Sequence, residues 1–264
     1  MKSNYKPKIG IFGLTGCGGD QLTILNMEDD LIELLGNFEL VQFQMGSSRR
    51  GNSILDIALV EGSVSTKTDL QRLKEIREKA TYLVAIGNCS IDGCLQAGMS
   101  GENSIKVSVK EVYGEEAKFD SEFLDAKGAV DYVPVDFKIP GCPIEKKEIL
   151  QALTSMLHGD FPQEFTYPVC VECKLNEYPC LITEKGESCL GPIIRGGCNA
   201  RCPGLGVDCI GCRGPPLDNV NISKEFKLLL EEGYNNEYVM NRLRMFSGNT
   251  EARSRIKKLL EESE

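Results

Sequence analysis

Tryptophan is absent from this 264-residue chain, and there is one histidine, His158. A single histidine cannot supply a repeated metal-ligand set. His158 lies in the stretch Met156-Leu157-His158-Gly159, where it reads as a helix C-terminal residue that suits the helix dipole,. Positive charge is also short. Thirty Lys and Arg face 39 Asp and Glu, for a net charge of −9. That balance repels phosphates and argues against a nucleic-acid partner, while an acidic surface suits docking between redox proteins. No apolar run is long enough to span a membrane, so no membrane association is expected. Met1–Lys8 runs straight into a strand pattern, with no apolar signal segment and no twin-arginine leader. A cytoplasmic protein is expected, and in that compartment disulfides are rare. The first strand turn also lacks a Gly-x-Gly-x-x-Gly fingerprint. A flavin or nicotinamide site would then belong to another chain.

Cysteine, by contrast, is abundant: the chain has twelve. Eight of them crowd into a Gly/Pro-rich segment: Cys170, Cys173, Cys180, Cys189, Cys198, Cys202, Cys209 and Cys212. Eight thiols match the ligand count of two four-cysteine iron–sulfur clusters, and prolines follow closely on Cys189, Cys202 and Cys212, as in ferredoxin-type runs. The rival is zinc, for which Cys170-x-x-Cys173 and Cys209-x-x-Cys212 have suitable spacing. Two zinc sites would leave Cys17, Cys89 and Cys142 without a role. The intervals between the eight are 2, 6, 8, 8, 3, 6 and 2 residues, nearly the same read backwards. Two-cluster ferredoxins lend a cysteine of each run to the other cluster. By that analogy Cys170, Cys173, Cys180 and Cys212 form one site, and Cys189, Cys198, Cys202 and Cys209 the other.

The first half alternates strand and helix signals. Strands are expected over Lys8–Leu14, Glu39–Met45, Leu55–Val60, Tyr82–Ile86 and, as the last, Tyr132–Val135. Helices are expected over Gln21–Leu35, Thr68–Lys79 and Ile144–Leu157. This is the pattern of an α/β, doubly wound parallel sheet. Cys17, Cys89 and Cys142 each follow the C-terminal end of a predicted strand, the edge at which open α/β sheets bind ligands. Together they suggest a third cluster, which needs a fourth ligand. Asp20 stands where a second thiolate would complete Cys17-x-x-Cys; Cys94 is the other candidate. Asp20 also suits a helix N-cap, and carboxylate is a harder donor than thiolate. Glu61 ends a buried strand on the same rim, either as a functional carboxylate or as a solvated loop residue.

At these residues the chain resembles the small subunit of cytoplasmic group 3 [NiFe]-hydrogenases, the group of sulfhydrogenase delta subunits and of F420-linked and heterodisulfide-reductase-linked enzymes. The pieces that carry the resemblance span about residues 8 to 216. They begin with Gly13-Leu14-Thr15-Gly16-Cys17-Gly18-Gly19-Asp20-Gln21-Leu22, Val60-Glu61-Gly62-Ser63, Gly87-Asn88-Cys89-Ser90 and Pro140-Gly141-Cys142-Pro143. Cys189-Leu190-Gly191-Pro192 and the run from Gly197-Cys198 to Cys212-Arg213-Gly214-Pro215 complete them. The resemblance implies a flavodoxin-like domain, residues 1–160, that holds a proximal [4Fe–4S] cluster against a nickel–iron large subunit. It implies a loop-rich, cysteine-rich domain, residues 161–264, with two further [4Fe–4S] clusters and a helical tail. Such a chain is the electron-transferring part of an oxidoreductase, passing electrons to a flavin- and iron–sulfur-containing partner. It would not activate hydrogen alone, since it has no second pair of Cys-x-x-Cys motifs for a nickel–iron centre. Two departures from the family pattern stand out: Asp20 in place of a cysteine, and Cys94 in a usually glycine-rich stretch. The distal cluster cannot use histidine, because none lies in 159–264.

A free-standing iron–sulfur carrier is the competing class of function, and the cluster-bearing subunit of a membrane complex is a third. Those last subunits are short and lack the eight-cysteine extension. The tail from Ile222 is charged and helical in pattern, with an apolar patch at Leu228–Leu230 and an amphipathic stretch at Arg253–Leu260.

Overall fold

A computed structural model describes residues 5–98, 105–115, 118–119, 122–217, 222–231 and 234–246. The chain divides into two compact units, Met1–Pro162 and Gln163–Glu264.

The first unit is built on a parallel sheet. Its strands are β1 (Lys8–Gly13), β2 (Glu39–Phe43), β3 (Leu55–Glu61), β5 (Ala80–Ile86) and β7 (Phe137–Ile139), in the order β2-β1-β3-β5-β7. All four pairings are parallel. Counted along the sheet strands alone, this is the flavodoxin-like order 2-1-3-4-5, with its reversal between β1 and β3. Alternation sorts the apolar side chains to two faces. Ile9, Ile11, Leu59, Val84, Ile86 and Ile139 pack with residues of α1 (Gly19–Leu25), α2 (Asp29–Gly36) and α7 (Lys146–Leu157). Phe12, Ala58, Val60 and Leu83 pack with Leu73 and Ile76 of α3 (Lys67–Lys79). Both faces of the sheet are covered, so its strands read as near-continuous apolar runs.

Local chemistry sets the helix ends. Thr66 and Asp69 form a reciprocal capping box at the start of α3, each side chain accepting the other's backbone N–H at 3.0 Å,. The expected single helix over Gln21–Leu35 is two helices. The chain breaks at Asn26–Glu28, where Glu28 takes a left-handed φ of 54°. Asp29 and Asp30 then occupy the first turn of α2, which favours negative charge,.

Tyr132–Val135 is not a strand. A short 3₁₀ turn, Ala129–Asp131, precedes it, and the edge strand is Phe137–Ile139 instead. An antiparallel pair, β4 (Val64–Thr66) with β6 (Phe123–Lys127), lies outside the main sheet. Among the described residues the unit also has α4 (Gly87–Asp92), α5 (Cys94–Ala97) and α6 (Ile105–Tyr113).

The second unit is loop-rich. Its helices are α8 (Val169–Leu175), α9 (Leu181–Lys185), α10 (Arg201–Gly204), α11 (Ile222–Glu231) and α12 (Asn236–Phe246). Its core includes Val169, Leu181, Leu190, Ile193 and Ile194, joined by the thiol side chains of Cys189 and Cys209. Leu229 of the expected tail patch is buried in this core. Arg253–Leu260 lies outside the described residues. Among the described residues no helix is long and apolar enough to cross a membrane.

Leu59 is fully buried at the centre of the sheet. Leu59→Ala is expected to cost about 2–5 kcal/mol, the range for a buried leucine that leaves a cavity. Urea unfolding of the full chain, followed by circular dichroism, checks it.

Candidate metal centres

Four chain segments, those following β1, β3, β5 and β7, meet at the carboxyl edge of the sheet. Cys17, Asp20, Glu61, Asn88, Cys89 and Cys142 line one cleft there, with glycines between them. The loop after β1 is laced to the loop after β3. Leu14 N–H donates to the Glu61 carbonyl at 2.9 Å, and Thr15 and Ser63 exchange backbone bonds at 3.1 and 2.8 Å. Gly62, at φ 88°, has no room for a side chain, because a Cβ would strike the Leu14 backbone. The loops carrying Cys89 and Cys142 are joined through buried Asn88. Its N–H donates to the Gly141 carbonyl at 2.8 Å, and its Oδ1 accepts the Gly141 N–H at 3.1 Å.

Asp20 is not a helix N-cap. Gly18 takes that position with a left-handed φ of 77°, and no side chain caps α1. The Asp20 carboxylate instead accepts the Ile144 N–H at 2.9 Å, tying the Cys17 loop to the Cys142 loop. It lies so close to Gly87 that a Cβ there would overlap it. Burial pushes its pKa up to about 7; the Ile144 N–H opposes this and the Glu61 charge adds to it.

Glu61 is not a solvated loop residue. It is buried at the end of β3, where its two oxygens accept the Gln21 N–H at 2.9 Å and the Gln21 side-chain amide at 3.0 Å. It therefore holds the start of α1 against the sheet edge. Cys94 is also buried, at φ 47°. Its thiol contacts the sulfurs of Cys142 and Cys89, which pushes its own pKa up and lowers that of Cys142. Cys94 thus sits against two of the three expected ligands, whereas Asp20 lines the cleft with all three.

The eight cysteines of the second unit stand outside any disulfide. Cys170 and Cys173 lie on α8, whose start is fixed by Val169 N–H donating to the Ile194 carbonyl at 2.8 Å. Cys180 precedes α9. Burial works against its thiolate, but the Thr183 hydroxyl and the N–H groups of Thr183 and Ile182 outweigh it and lower the pKa. Burial raises Cys209, and it raises Cys173 to about 11, with nearby thiols adding to both. Cys209 N–H points to the Cys189 sulfur at 3.4 Å. A Cβ on Gly191 would lie 3.4 Å from the Cys189 sulfur and 3.5 Å from that of Cys170. Gly191 therefore brings together thiols that the spacing places in different sets.

The spacing of the cysteines gave no sign of two buried charges beside Cys198. Glu172 lies inside the Cys170-x-x-Cys173 pair, and Arg213 follows Cys212; both are nearly fully buried. The only signal in the sequence was an acidic residue between two closely spaced cysteines.

The donor set, mostly thiols, fits iron–sulfur clusters, which cysteine thiolates hold. Among the described residues no three His, Cys, Asp or Glu side chains close to the spacing of one metal ion. Thiols spread around a cleft suit a cluster, whose ligands bind at separate corners.

Residues 17–156 match the family described as NADH ubiquinone oxidoreductase, 20 kDa subunit. The chain is 45% identical to sulfhydrogenase 2 subunit delta of Pyrococcus furiosus, over 91% of this chain and 99% of the relative. It is 32% identical to a subunit of the vhu F420-non-reducing hydrogenase of Methanocaldococcus jannaschii, over 78% of this chain and 81% of the relative. Its fold matches a chain of the actinobacterial-type NiFe-hydrogenase of Ralstonia eutropha H16 at a TM-score of 0.58, with 18% identity, over 99% of this chain and 93% of that one. With its parallel sheet, its cysteine-rich second unit and these relatives, the chain belongs to the NADH ubiquinone oxidoreductase 20 kDa subunit family, among the small subunits of group 3 hydrogenases.

Proposed function

We propose that this chain is the electron-transfer small subunit of a cytoplasmic [NiFe]-hydrogenase complex. It relays electrons between the nickel–iron site of a large subunit and a flavin- and iron–sulfur-containing acceptor subunit. The observation that carries the reading is the convergence of Cys17, Cys89, Cys142 and Asp20 on one cleft at the sheet edge. In this reading residues 1–160 hold a proximal [4Fe–4S] cluster on those four side chains. Residues 161–264 hold two more [4Fe–4S] clusters on their own eight thiols. When bound, each cluster supplies one-electron chemistry.

The chain's own residues hold and shape these sites. Gly62 lets the segments after β1 and β3 approach each other closely, and Gly18 takes a left-handed turn beside Cys17. Asn88 and Asp20 fix the loop of Cys142 against the other two loops. An oxygen donor at Asp20 would set the proximal site apart from an all-thiolate one. The division of the eight thiols by spacing is crossed by the approach of Cys170 to Cys189. Single Cys→Ser variants read which thiols share a cluster.

Three clusters require about twelve iron atoms per chain. Iron analysis of the full chain, prepared without oxygen, is expected to find them. About four or fewer would sink the three-cluster scheme. A nickel-containing large subunit should co-purify with the chain from its native cells. Its consistent absence would favour a free-standing carrier.

Asp20 separates ligand from scaffold. Asp20→Asn keeps an acceptor for the Ile144 N–H but removes the carboxylate. If Asp20 is a ligand, Asp20→Asn alters or loses the proximal electron paramagnetic resonance signal. Asp20→Cys keeps a four-iron cluster and shifts its potential. An unaltered signal in Asp20→Asn would reduce Asp20 to a scaffold residue, and damage in Cys94→Ser would then point to Cys94. Gly87→Ala tests the same place from the other side. Its added Cβ meets the Asp20 carboxylate, and φ 75° disfavours any side chain. A loss of about 1–3 kcal/mol in stability is expected, together with a disturbed proximal signal.

A further inference from the structure

Glu172 is nine-tenths buried, yet its carboxylate is fully engaged. Its Oε1 accepts the Gly197 N–H at 2.5 Å and the Tyr167 hydroxyl at 3.4 Å. Its Oε2 accepts the Ala200 N–H at 3.0 Å and stands 3.8 Å from the Cys198 sulfur. The loop around Cys198 is wrapped on this carboxylate. Gly197, Asn199 and Ala200 all take left-handed φ values, of 105°, 54° and 48°. Such curls turn successive N–H groups inward and form a cradle for an anion. Here the anion is a side chain of the same chain, from the helix that carries Cys170 and Cys173.

Arg213 approaches the same loop with the opposite charge. It is also nearly fully buried, and its Nε donates to the Gly196 carbonyl at 2.7 Å. A Cβ on Gly197 would strike its guanidinium. Both side chains close on the Cys198 loop: Glu172 Oε2 lies 3.8 Å from the Cys198 sulfur, and the Arg213 guanidinium packs on Gly197, the residue before Cys198.

We propose that Glu172 is a positioning residue that seats Cys198 on its cluster, and that Glu172 and Arg213 set that cluster's potential through opposed fixed charges. The inference rests on the reading of Cys198 as a ligand. Reduction adds one negative charge to a cluster, so a fixed negative charge beside it lowers the potential and a fixed positive charge raises it.

The test is redox titration of the full chain, followed by electron paramagnetic resonance, with iron counted in each variant. Glu172→Gln should keep its iron and move one couple upward. Arg213→Gln should move the same couple downward. Arg213→Lys, which keeps the charge, should stay at the parent value. Any other couple should move less than this one but need not stay fixed, since Glu172 and Arg213 also neighbour Cys173 and Cys212 in the chain. Unmoved midpoints in both glutamine variants, or shifts of the same sign, would overturn the proposal. If Glu172→Gln sheds iron, the sign of the Arg213→Gln shift decides, because that change leaves the Glu172 contacts in place. If Arg213→Gln sheds iron as well, a midpoint in Arg213→Lys away from the parent value overturns the charge role. Cys198→Ser is the control on the underlying reading. Full iron and an unaltered spectrum there would remove Cys198 as a ligand. Lost iron there, with unmoved midpoints in the glutamine variants, would sink this inference alone.

Discussion

The arrangement at the sheet edge depends on polar groups of four chain segments satisfying one another. A buried N–H or C=O without a partner costs about 1–3 kcal/mol, so loops at the carboxyl edge must find partners or stay in water. Here they pair across chain segments: Thr15 with Ser63, Asn88 with Gly141, and Asp20 with Ile144. Each pairing joins two loops, and together they bring Cys17, Cys89 and Cys142 to one cleft. Only a parallel sheet with a reversal between β1 and β3 places these loops side by side,. The thiols are therefore placed by the scaffold rather than by one another.

The second unit solves a different problem. Its helices are short, and cysteine side chains form part of its small core. Buried thiols in apolar surroundings are held neutral, as burial does to Cys209. A thiolate ligand must lose its proton, so metal binding and folding are coupled in such a unit. Glu172 and Arg213 extend that logic. Two buried charges are costly unless their hydrogen bonds are complete. The loop wrapped on Glu172 supplies two backbone donors, and Arg213 bonds the Gly196 carbonyl.

Much of the first unit was legible because its strands are buried on both faces. Leu55–Val60 and Tyr82–Ile86 stand out as apolar runs of strand length, and the two strands extend one or two residues beyond them. The edge strand did not stand out. Phe137–Ile139 has three residues and lies between prolines, while Tyr132–Val135 has the better local propensity and forms a turn. The break at Asn26–Glu28 was hidden because Leu22, Leu25, Leu31, Leu34 and Leu35 keep helical spacing across it. Periodicity sees which face is apolar, not whether the backbone is continuous.

The same limit governs the site. Cysteine spacing and strand ends point to Cys17, Cys89 and Cys142, because those signals are linear. The partner of Asp20 is not linear: Ile144 lies 124 residues away. Glycine at position 18 takes the cap because only a left-handed residue turns the chain from Cys17 into α1,. That leaves the neighbouring carboxylate free of the helix end and available to the cleft. A residue read from sequence as a choice between cap and ligand thus meets neither description in its protein contacts. It is a cross-loop acceptor, and an acceptor shared between an N–H and a metal is still a donor of electron density to both. Its hydrogen bond to Ile144 orients the carboxylate, as hydrogen bonds from surrounding groups orient metal ligands elsewhere. The bond is compatible with ligation, since a carboxylate oxygen can accept an N–H and still offer a lone pair.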